Sequence, residues 1–314
     1  MPRTPPSRQT ALPVALRLIR PALRATQRVS PGVAAMMAER IFFTPPRPPA
    51  RNGVRTFLET GARFELEVDG RRLVGWRWGN GDRRIFLAHG WGSRGGRFRL
   101  LAEPLREAGY TVITFDAPGH GNSGRGMSSM PEFARALRAV VDRFGPANAV
   151  VAHSMGAAAT ALAVKGGLPV ERLVFIAPPI NPADWAAGFA ARLGLAPAVV
   201  SLLKSRSEAR LGIHWEDLDV TAMASRMTTP LLVIHDRQDD TVPWSNGASI
   251  AHTWPGARLV TTEGLGHRAI LRAPHVMREI VRFVTGEEKA LFALEPAEWL
   301  DAELFYREGR PATA

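Results

Sequence analysis

The stretch Ala152-His153-Ser154-Met155-Gly156 decides how the rest of this sequence is interpreted. An apolar run at 148–151 precedes it and predicts a buried strand, whereas an alanine-rich run at 157–164 follows it and predicts a helix. A serine in a sharp turn from strand to helix is exposed at the strand end, and small neighbours let other backbone segments approach closely. The amides at the helix start would stabilise an oxyanion beside the serine. We therefore predict that Ser154 is a nucleophile.

The short pattern around Ser154 can occur by chance, so its interpretation depends on three further segments. They are Phe-Leu-Ala-His-Gly-Trp-Gly at 86–92, His-Asp-Arg-Gln-Asp-Asp-Thr-Val-Pro at 235–243, and Glu-Gly-Leu-Gly-His-Arg at 263–268. The order serine, then acid, then histidine, each after a predicted strand, resembles the α/β-hydrolase family. The resemblance extends from about residue 62 to 285. It implies an α/β fold with a mostly parallel sheet of about eight strands, flanking helices and a helical cap insertion.

Alternating strand and helix patterns favour the same fold class. Strands are predicted at 63–68, 72–78, 84–88, 111–115, 148–152, 172–176, 230–235 and 257–261. Helices are predicted at 97–108, 131–144, 155–165, 245–253 and 273–285. The first two strands form a hairpin around Asp69-Gly70, and the others pair in parallel through helical crossovers. Loops that carry chemistry then lie at the carboxyl edge of the sheet, where the motif residues fall.

A nucleophilic serine needs a base and a carboxylate behind that base. His267 is the expected base, because its loop follows the last predicted strand and contains two glycines. The loop after the preceding strand offers Asp236, Asp239 and Asp240. The family pattern places the acid three residues before Val-Pro, which implies Asp239. Asp240 is the alternative, and Asp236 is expected to be a turn or strand-end residue.

The resemblance also implies two backbone donors for the oxyanion. They are the amide of Met155, directly after the nucleophile, and the amide of Trp91 in the His-Gly-Trp-Gly loop. Core packing is the alternative role for the Trp91 side chain. For the substrate pocket we predict a set of histidine and tryptophan side chains close to these motifs or in the insertion: His89, Trp91, His153, Trp185, Trp215 and Trp244.

The chain divides into four predicted segments. Residues 1–50 form a basic arm with a proline-rich linker, residues 51–177 and 229–286 form the hydrolase core, and residues 287–314 form an acidic helix or tail. Residues 178–228 are too long for a plain crossover and are rich in apolar side chains. The family resemblance implies that they form a cap that excludes water from the site. The alternative is an ordinary pair of packing helices.

The arm carries an amphipathic pattern between Leu12 and Val29, with arginines opposite an apolar face. Pro21 is expected to kink or divide this helix. The arm either docks on the domain or on a partner chain, or lies on an anionic membrane surface. We favour an arm that is docked or partly disordered. The acidic tail has the opposite charge, which raises the hypothesis that the tail packs against the arm.

Composition narrows the possible chemistry. The chain of 314 residues is 46% hydrophobic, enough for one large core, and has no cysteine, which excludes disulfides and thiolate catalysis. No histidine pair has metal-ligand spacing, so neither a metal nor an organic cofactor is expected. The net charge of +11 comes almost wholly from arginine. It reflects either arginine-rich codon usage or attraction to an acidic surface such as anionic lipid; without a binding motif, nucleic acid is not expected.

These observations together predict a serine hydrolase that cleaves a carboxylic ester or thioester of an apolar acyl substrate of moderate size through an acyl-enzyme. One alternative is a membrane-surface lipase or acyl hydrolase that the basic arm anchors. Another is a ligand-binding protein on the same fold without catalytic activity. No secretory or membrane-spanning pattern is present, so the expected location is the cytoplasm, with peripheral membrane contact through the arm as the alternative.

Overall fold

The computed structural model of the chain describes residues 14–286. The expectations for residues 1–13 and for the acidic tail at 287–314, including its packing against the arm, lie outside the described residues.

A single sheet of eight strands forms the centre of the described fold. The strands are β1 (Ala62–Val68), β2 (Arg71–Trp78), β3 (Arg84–Ala88), β4 (Thr111–Asp116), β5 (Ala147–His153), β6 (Val170–Ile176), β7 (Leu231–Asp236) and β8 (Arg258–Thr262). Their order in the sheet is β1-β2-β4-β3-β5-β6-β7-β8. The pairs β1–β2 and β2–β4 are antiparallel, and the remaining pairs are parallel. Each predicted strand is present, and the fold class is confirmed.

The hairpin at the start of the sheet forms where the sequence predicts it. Asp69 and Gly70 connect β1 to β2 with φ angles of 52° and 68°. A two-residue hairpin turn of type I′ requires positive φ at both positions, and Asp-Gly is among the pairs that adopt it most easily.

Helices cover both faces of the sheet and its carboxyl edge. They are α1 (Val14–Val29), α2 (Pro31–Phe43), α3 (Asn52–Glu59), α4 (Arg99–Glu107), α5 (Met130–Phe144), α6 (Met155–Lys165), α7 (Pro182–Leu193), α8 (Pro197–Leu211), α9 (Val220–Ala224), α10 (Trp244–Thr253), α11 (Gly266–Ala269) and α12 (Pro274–Thr285). Short 3₁₀ turns lie at Gly95–Phe98, Trp215–Leu218 and Ile270–Arg272. The five helices predicted around the sheet are α4, α5, α6, α10 and α12. Helices α2 and α3 have no counterpart in the sequence-based prediction.

The central strands are apolar along their whole length because both of their faces are buried. In β5, Val150 and Ala152 pack on the face that α5 and α6 cover. The alternate residues Ala149 and Val151 pack on the opposite face, which α4 and α12 cover. This double burial fixes the sheet firmly beneath the loops at its carboxyl edge.

The two N-terminal helices pack against the insertion in a third apolar cluster. Leu23 of α1 and Ala35 of α2 are fully buried there against Leu193 and Leu203 of α7 and α8. Helix α1 continues through Pro21, whereas the sequence predicts a kink or break there. The helix is held on both sides of the proline, because Ile19 and Leu23 contact the same cluster. In the part of the chain from 14 to 286, no helix has the length and apolar character needed to cross a bilayer.

Candidate active site

Ser154 lies in the sharp turn between β5 and α6, as predicted. Its φ and ψ angles are 54° and −127°, a conformation that a residue with a side chain rarely adopts. The amide of Ser154 donates a hydrogen bond of 2.9 Å to the carbonyl of Ile176. This strand-edge bond holds the strained turn, which aims the serine side chain away from the sheet.

Two glycines make room for this turn. A Cβ atom on Gly156 would lie 2.5 Å from the carbonyl oxygen of His89 and 2.6 Å from that of Ala88. A Cβ atom on Gly90 would lie 2.9 Å from the Cβ of Ser154. These separations are shorter than real carbon contacts, so only glycine lets the elbow approach the loop after β3.

Ser154, His267 and Asp239 form a continuous hydrogen-bonded chain. His267 Nε2 is 3.1 Å from Ser154 Oγ, and His267 Nδ1 is 2.8 Å from Asp239 Oδ2. The arrangement fits an imidazole whose Nδ1–H donates to the carboxylate and whose Nε2 accepts from the hydroxyl. Residues 113 and 28 positions from His267 along the chain thus meet at one point of the sheet edge.

The carboxylate of Asp239 is buried and fully hydrogen-bonded. Its Oδ1 accepts from the amides of Thr241 and Val242, each at 2.8 Å, and its Oδ2 accepts from His267. Burial raises its pKa, but hydrogen bonds from His235 and His267 and from the Val242 amide outweigh burial and lower the pKa below its ordinary value. Asp239 therefore stays ionised at neutral pH.

The other two aspartates of this loop have different surroundings. Asp240 is exposed, and its carboxylate accepts from the Thr241 hydroxyl. Asp236 ends β7 and accepts hydrogen bonds from Thr262 Oγ1 at 2.7 Å and from the Leu265 amide at 3.0 Å. Asp236 thus fastens the loop that carries His267, which agrees with its predicted strand-end role.

Two buried histidines support the relay. His153 Nε2 is 2.9 Å from the backbone carbonyl of His267 and donates to it, and the two rings lie 4.7 Å apart. His235 Nε2 is 3.1 Å from the Val242 carbonyl and 3.4 Å from Asp239 Oδ2. His153 is not among the residues that line the cavity described below.

His89 is also not among the residues that line that cavity. Its Nε2 accepts from the Ala117 amide at 3.0 Å, and its Nδ1–H donates to the Gly90 carbonyl at 2.7 Å. Burial lowers the pKa of His89 to about 4, so the ring is neutral and structural. It packs edge-on against His120 and Phe133 under the loop.

Trp244 is the third predicted pocket residue that is not among the lining residues of that cavity. It is the first residue of α10, and its Nε1–H donates to Thr261 Oγ1 on β8 at 3.1 Å. The guanidinium of Arg237 lies 4.6 Å from its ring. These contacts hold the indole against the edge strand of the sheet.

The two residues predicted to donate to the oxyanion line the same cavity as the nucleophile. Met155 is the first residue of α6, so its amide is among the four that lack an intrahelical acceptor. Trp91 follows Gly90, whose backbone approaches Ser154 closely. The side chains of Met155 and Trp91 both line the cavity in which Ser154 lies.

An almost wholly apolar cavity of about 120 Å³ opens above Ser154. Core, insertion and N-terminal helix all contribute to its wall: Phe42, Phe43, Trp91, Ser128, Ser129, Met130, Pro131, Ser154, Met155, Ala158, Pro179, Ile180, Asn181, Pro182, Trp185, Leu211, Trp215 and Leu218. The predicted pocket residues Trp91, Trp185 and Trp215 are among them. Phe42 and Phe43 are absent from the sequence-based prediction, because nothing in their local pattern indicates that α2 returns to the sheet edge.

Within residues 14–286, no three histidine, aspartate or glutamate side chains come together as metal ligands. The hydrogen-bonded chain at Ser154 is complete in itself, and its carboxylate has every oxygen occupied by protein donors.

Comparison with known proteins agrees with this geometry. Residues 85–280 match the model of the alpha/beta hydrolase family. The chain is 36% identical over 104 residues to "Putative carbamate hydrolase RutD" of Pseudomonas savastanoi pv. phaseolicola, covering 30% of this chain and 38% of that protein. It is 29% identical over 150 residues to a monoacylglycerol lipase of Mycolicibacterium smegmatis, covering 45% of this chain and 50% of the lipase. The matches thus span half or less of these relatives.

A solved structure extends the likeness over more of the fold. The esterase Pf2001 of Pyrococcus furiosus superposes with a TM-score of 0.59 at 20% identity, covering 77% of this chain and 98% of the esterase. At that identity the likeness concerns the fold alone. The family model, in contrast, matches more than half of the sequence and spans the serine, aspartate and histidine of the relay. The chain therefore belongs to the alpha/beta hydrolase family.

Proposed function

We propose that the protein is a serine hydrolase that cleaves a carboxylic ester or thioester with a compact apolar acyl group. The observation that carries the proposal is the alignment of Ser154, His267 and Asp239 by hydrogen bonds, with Ser154 in the wall of an apolar cavity. This alignment supplies a nucleophile, a base within reach of its proton, and a carboxylate that orients the base.

The first half-reaction forms an acyl-enzyme. Ser154 Oγ attacks the carbonyl carbon of the substrate while its proton passes to His267 Nε2. The carbonyl oxygen becomes an oxyanion that accepts hydrogen bonds from the amides of Met155 and Trp91. His267 then gives the proton to the leaving alcohol or thiol, whose bond to the carbonyl carbon breaks, and the acyl group stays on Ser154.

The second half-reaction returns the enzyme. A water molecule loses a proton to His267 Nε2 and attacks the acyl carbon, the same amides hold the second oxyanion, and the bond to Ser154 Oγ breaks as the proton returns to that oxygen. A carboxylic acid is released. Asp239 remains ionised throughout and stabilises the imidazolium of His267, a role that its lowered pKa supports.

The cavity favours an apolar acyl group of modest size. Its volume of about 120 Å³ is below the roughly 150 Å³ of an engineered apolar cavity that binds benzene. The relatives named for carbamate hydrolysis and monoacylglycerol hydrolysis act, by those names, on carbonyl substrates of different size. These relatives support hydrolysis as the reaction class. The proposed size of the acyl group is inferred from the cavity instead.

A serine-directed fluorophosphonate probe tests the proposal. We expect it to label the wild-type protein and not the variant Ser154→Ala, and we expect the labelled protein to lose hydrolysis of p-nitrophenyl butyrate. Ser249→Ala, at an exposed serine of α10, is the matched control and keeps both labelling and activity. Absence of wild-type labelling, or equal labelling of Ser154→Ala, contradicts the hydrolase and favours a ligand-binding protein on the same fold.

A second candidate function is acyl hydrolysis at an anionic membrane surface. Among the side chains of the N-terminal helices that the structure describes, from residue 18 onward, several large apolar ones are exposed to solvent: Leu18 (75%), Val29 (87%), Val33 (44%) and Met36 (50%). Exposed arginines lie on the same helices, including Arg24, Arg28 and Arg40. Apolar side chains among basic ones are the combination that binds anionic lipid interfaces.

Vesicle flotation tests this candidate. We expect the protein to float with vesicles that contain phosphatidylglycerol, less in high salt, and to be released by the double variant Val33→Asp/Met36→Asp. The matched control places Asp at Leu259, an exposed apolar side chain on β8 at the far edge of the sheet, and leaves flotation unchanged. Salt-independent flotation, or equal flotation of both variants, contradicts docking through these helices.

A further inference from the structure

The N-terminal helix α2 supplies a wall of the cavity above Ser154, although it lies outside the region that matches the family model. Its last two residues, Phe42 and Phe43, line this cavity together with residues of the core and the insertion. The insertion alone therefore does not enclose the site.

Phe42 joins an aromatic cluster with two residues of the insertion. Its ring lies 5.2 Å from that of Phe189 on α7, edge-on, and 6.2 Å from that of Trp215 in a stacked arrangement. Trp215 also lines the cavity, and its Nε1–H donates to the buried Ser207 hydroxyl at 2.9 Å. Because each ring limits the movement of the others, this part of the wall has a defined position.

A buried carboxylate one turn before the phenylalanines holds α2 against the insertion. Glu39 Oε1 accepts from Arg210 Nε at 2.8 Å, and Glu39 Oε2 accepts from Arg206 Nε at 3.2 Å. The Glu39 side chain is 7% exposed, and the Arg210 guanidinium also lies 4.7 Å from the Phe43 ring. Charged side chains are rarely buried without a partner, so this pair of contacts fixes one relative position of α2 and α8.

The other end of the wall is fastened to the core. The carbonyl of Phe43 accepts a 2.7 Å hydrogen bond from the amide of Ser128, which lines the same cavity. After the proline pair, Arg47 donates to the carbonyls of Gly119 and Ser123, at 3.3 and 3.0 Å. The two phenylalanines are thus held between the insertion and the sheet edge.

We propose that Phe42 and Phe43 set the upper size of the acyl group that the enzyme accepts, and that Glu39 is a positioning residue that keeps them in place. This inference rests on the proposed hydrolase function. The substrates it specifies are esters or thioesters with short or compact apolar acyl groups.

A smaller and a larger side chain at position 42 both test whether Phe42 limits the size of the acyl group. Phe42→Ala removes a benzene-sized group from the wall, and Phe42→Trp fills the cavity further. We expect kcat/KM for p-nitrophenyl octanoate relative to butyrate to rise about tenfold or more in Phe42→Ala, because one methylene in an apolar pocket changes selectivity by about that factor. We expect the ratio to fall in Phe42→Trp. Phe57→Ala, which removes a ring stacked on Trp78 away from the cavity, is the control and keeps the wild-type ratio.

The positioning role of Glu39 has its own readout. In Glu39→Gln we expect KM for the butyrate ester to rise with little change in kcat, and the preference for longer esters to shift as in Phe42→Ala, but less. Glu103→Gln, at an exposed glutamate paired with Arg106, leaves both parameters unchanged. A loss of kcat alone with an unchanged chain-length profile would contradict positioning by Glu39.

Two outcomes separate the inference from the proposed function. In the first outcome, the fluorophosphonate labels the wild-type protein, but Phe42→Ala, Phe42→Trp and Phe43→Ala all keep the wild-type chain-length profile. This result contradicts the proposal that the two phenylalanines limit the acyl group and leaves the proposed hydrolase function intact. A wild-type protein that is not labelled contradicts the hydrolase. In that case the size limit is tested by binding of the acids from butyric to decanoic, measured as thermal shifts. An unchanged preference for chain length in Phe42→Ala contradicts the size limit as well.

Discussion

The sheet edge and the helical layer above it are built in different ways. At the sheet edge, the candidate reactive groups are polar, buried and joined by hydrogen bonds of 2.8 and 3.1 Å on a strained turn. The layer above, formed by α1 and α2 with α7 and α8, is held by apolar packing, aromatic contacts and one buried carboxylate between two arginines. The family model covers all of the first region, whereas α1 and α2 lie outside it.

We therefore expect the sheet edge to control the chemical reaction and the covering layer to control substrate selectivity. Displacement of one relay group breaks a directional contact, because proton transfer requires the two heavy atoms to be within about 2.6–3.2 Å of each other. Apolar contacts have no direction, so the covering layer tolerates changes of side-chain size and converts them into changes of cavity shape. We therefore expect substitutions at the sheet edge to abolish turnover or folding. We expect substitutions in the covering layer to change which acyl chain lengths the enzyme prefers.

The largest effect is expected at the carboxylate of the relay. Asp239→Asn keeps the side-chain shape but removes the charge that orients His267, so we expect kcat for p-nitrophenyl butyrate to fall about 10³- to 10⁴-fold. Steady-state kinetics measures this, with circular dichroism to verify the fold. Asp240→Asn, at the exposed neighbour, is the control. Equal losses in the two variants would contradict the assignment of Asp239.

The next largest effect concerns the fit of the serine turn. Gly156→Ala places a Cβ 2.5 Å from the His89 carbonyl oxygen, a backbone atom that has little freedom to move. We expect the free energy of unfolding to fall by about 1–3 kcal/mol or more, as overpacked interiors do. Urea unfolding followed by tryptophan fluorescence measures it. An unchanged midpoint would mean that the turn is looser than its geometry indicates.

A third effect is acid sensitivity that originates beneath the sheet edge. Burial lowers the pKa of His89 to about 4 and of His120 to about 3, and it lowers the pKa of His153 well below 6.5. Between about pH 6.5 and 4 the unfolded chain therefore binds protons that the folded chain does not. The unfolding free energy falls with decreasing pH, by up to about 1.4 kcal/mol per pH unit for each histidine.

His120→Asn measures this contribution. We expect the slope of unfolding free energy against pH to decrease by about one proton in this variant, in urea titrations between about pH 6.5 and 4. Ser249→Ala, at an exposed residue of α10 whose side chain does not titrate in this range, serves as the control and keeps the wild-type slope. A slope that His120→Asn leaves unaltered would argue against buried neutral histidines as the source of acid sensitivity.

The smallest effect is expected in the covering layer. A Cβ on Gly188 of α7 meets only the tip of Arg192, at 3.9 Å, so alanine fits there without displacement. Gly188→Ala should raise the unfolding free energy by about 0.5–1 kcal/mol, because glycine in a helix interior costs that much relative to alanine. The same urea titration measures it. Destabilisation would show that the layer is packed as tightly as the core.

Local patterns were sufficient for most of the fold and for the relay. The eight strands and the five helices around the sheet follow from apolar runs and turn residues, and Asp69-Gly70 forms its hairpin because both positions accept positive φ. Ser154 and His267 follow from chain order, since parallel strands bring their carboxyl ends to one edge, whereas Asp239 follows from the family resemblance. Sequence reasoning also prefers Asp239 to Asp240, in agreement with the observed contacts.

The cavity wall shows where such reasoning ends. His89, His153 and Trp244 lie next to the motifs in sequence, yet they form hydrogen bonds to Ala117, the His267 carbonyl and Thr261 and are not among the residues that line the cavity. Proximity along the chain therefore does not determine which way a side chain faces.

The sequence indicated the positions of the strands along the chain and the turn at Ser154, because these depend on local conformation, and with the family resemblance it indicated the three residues of the relay. Only the tertiary structure decided that α2 returns to the sheet edge and places Phe42 and Phe43 above the serine. That placement depends on the packing of distant apolar surfaces and on the ion pairs of Glu39 with α8, and neither leaves a periodic signal in the chain.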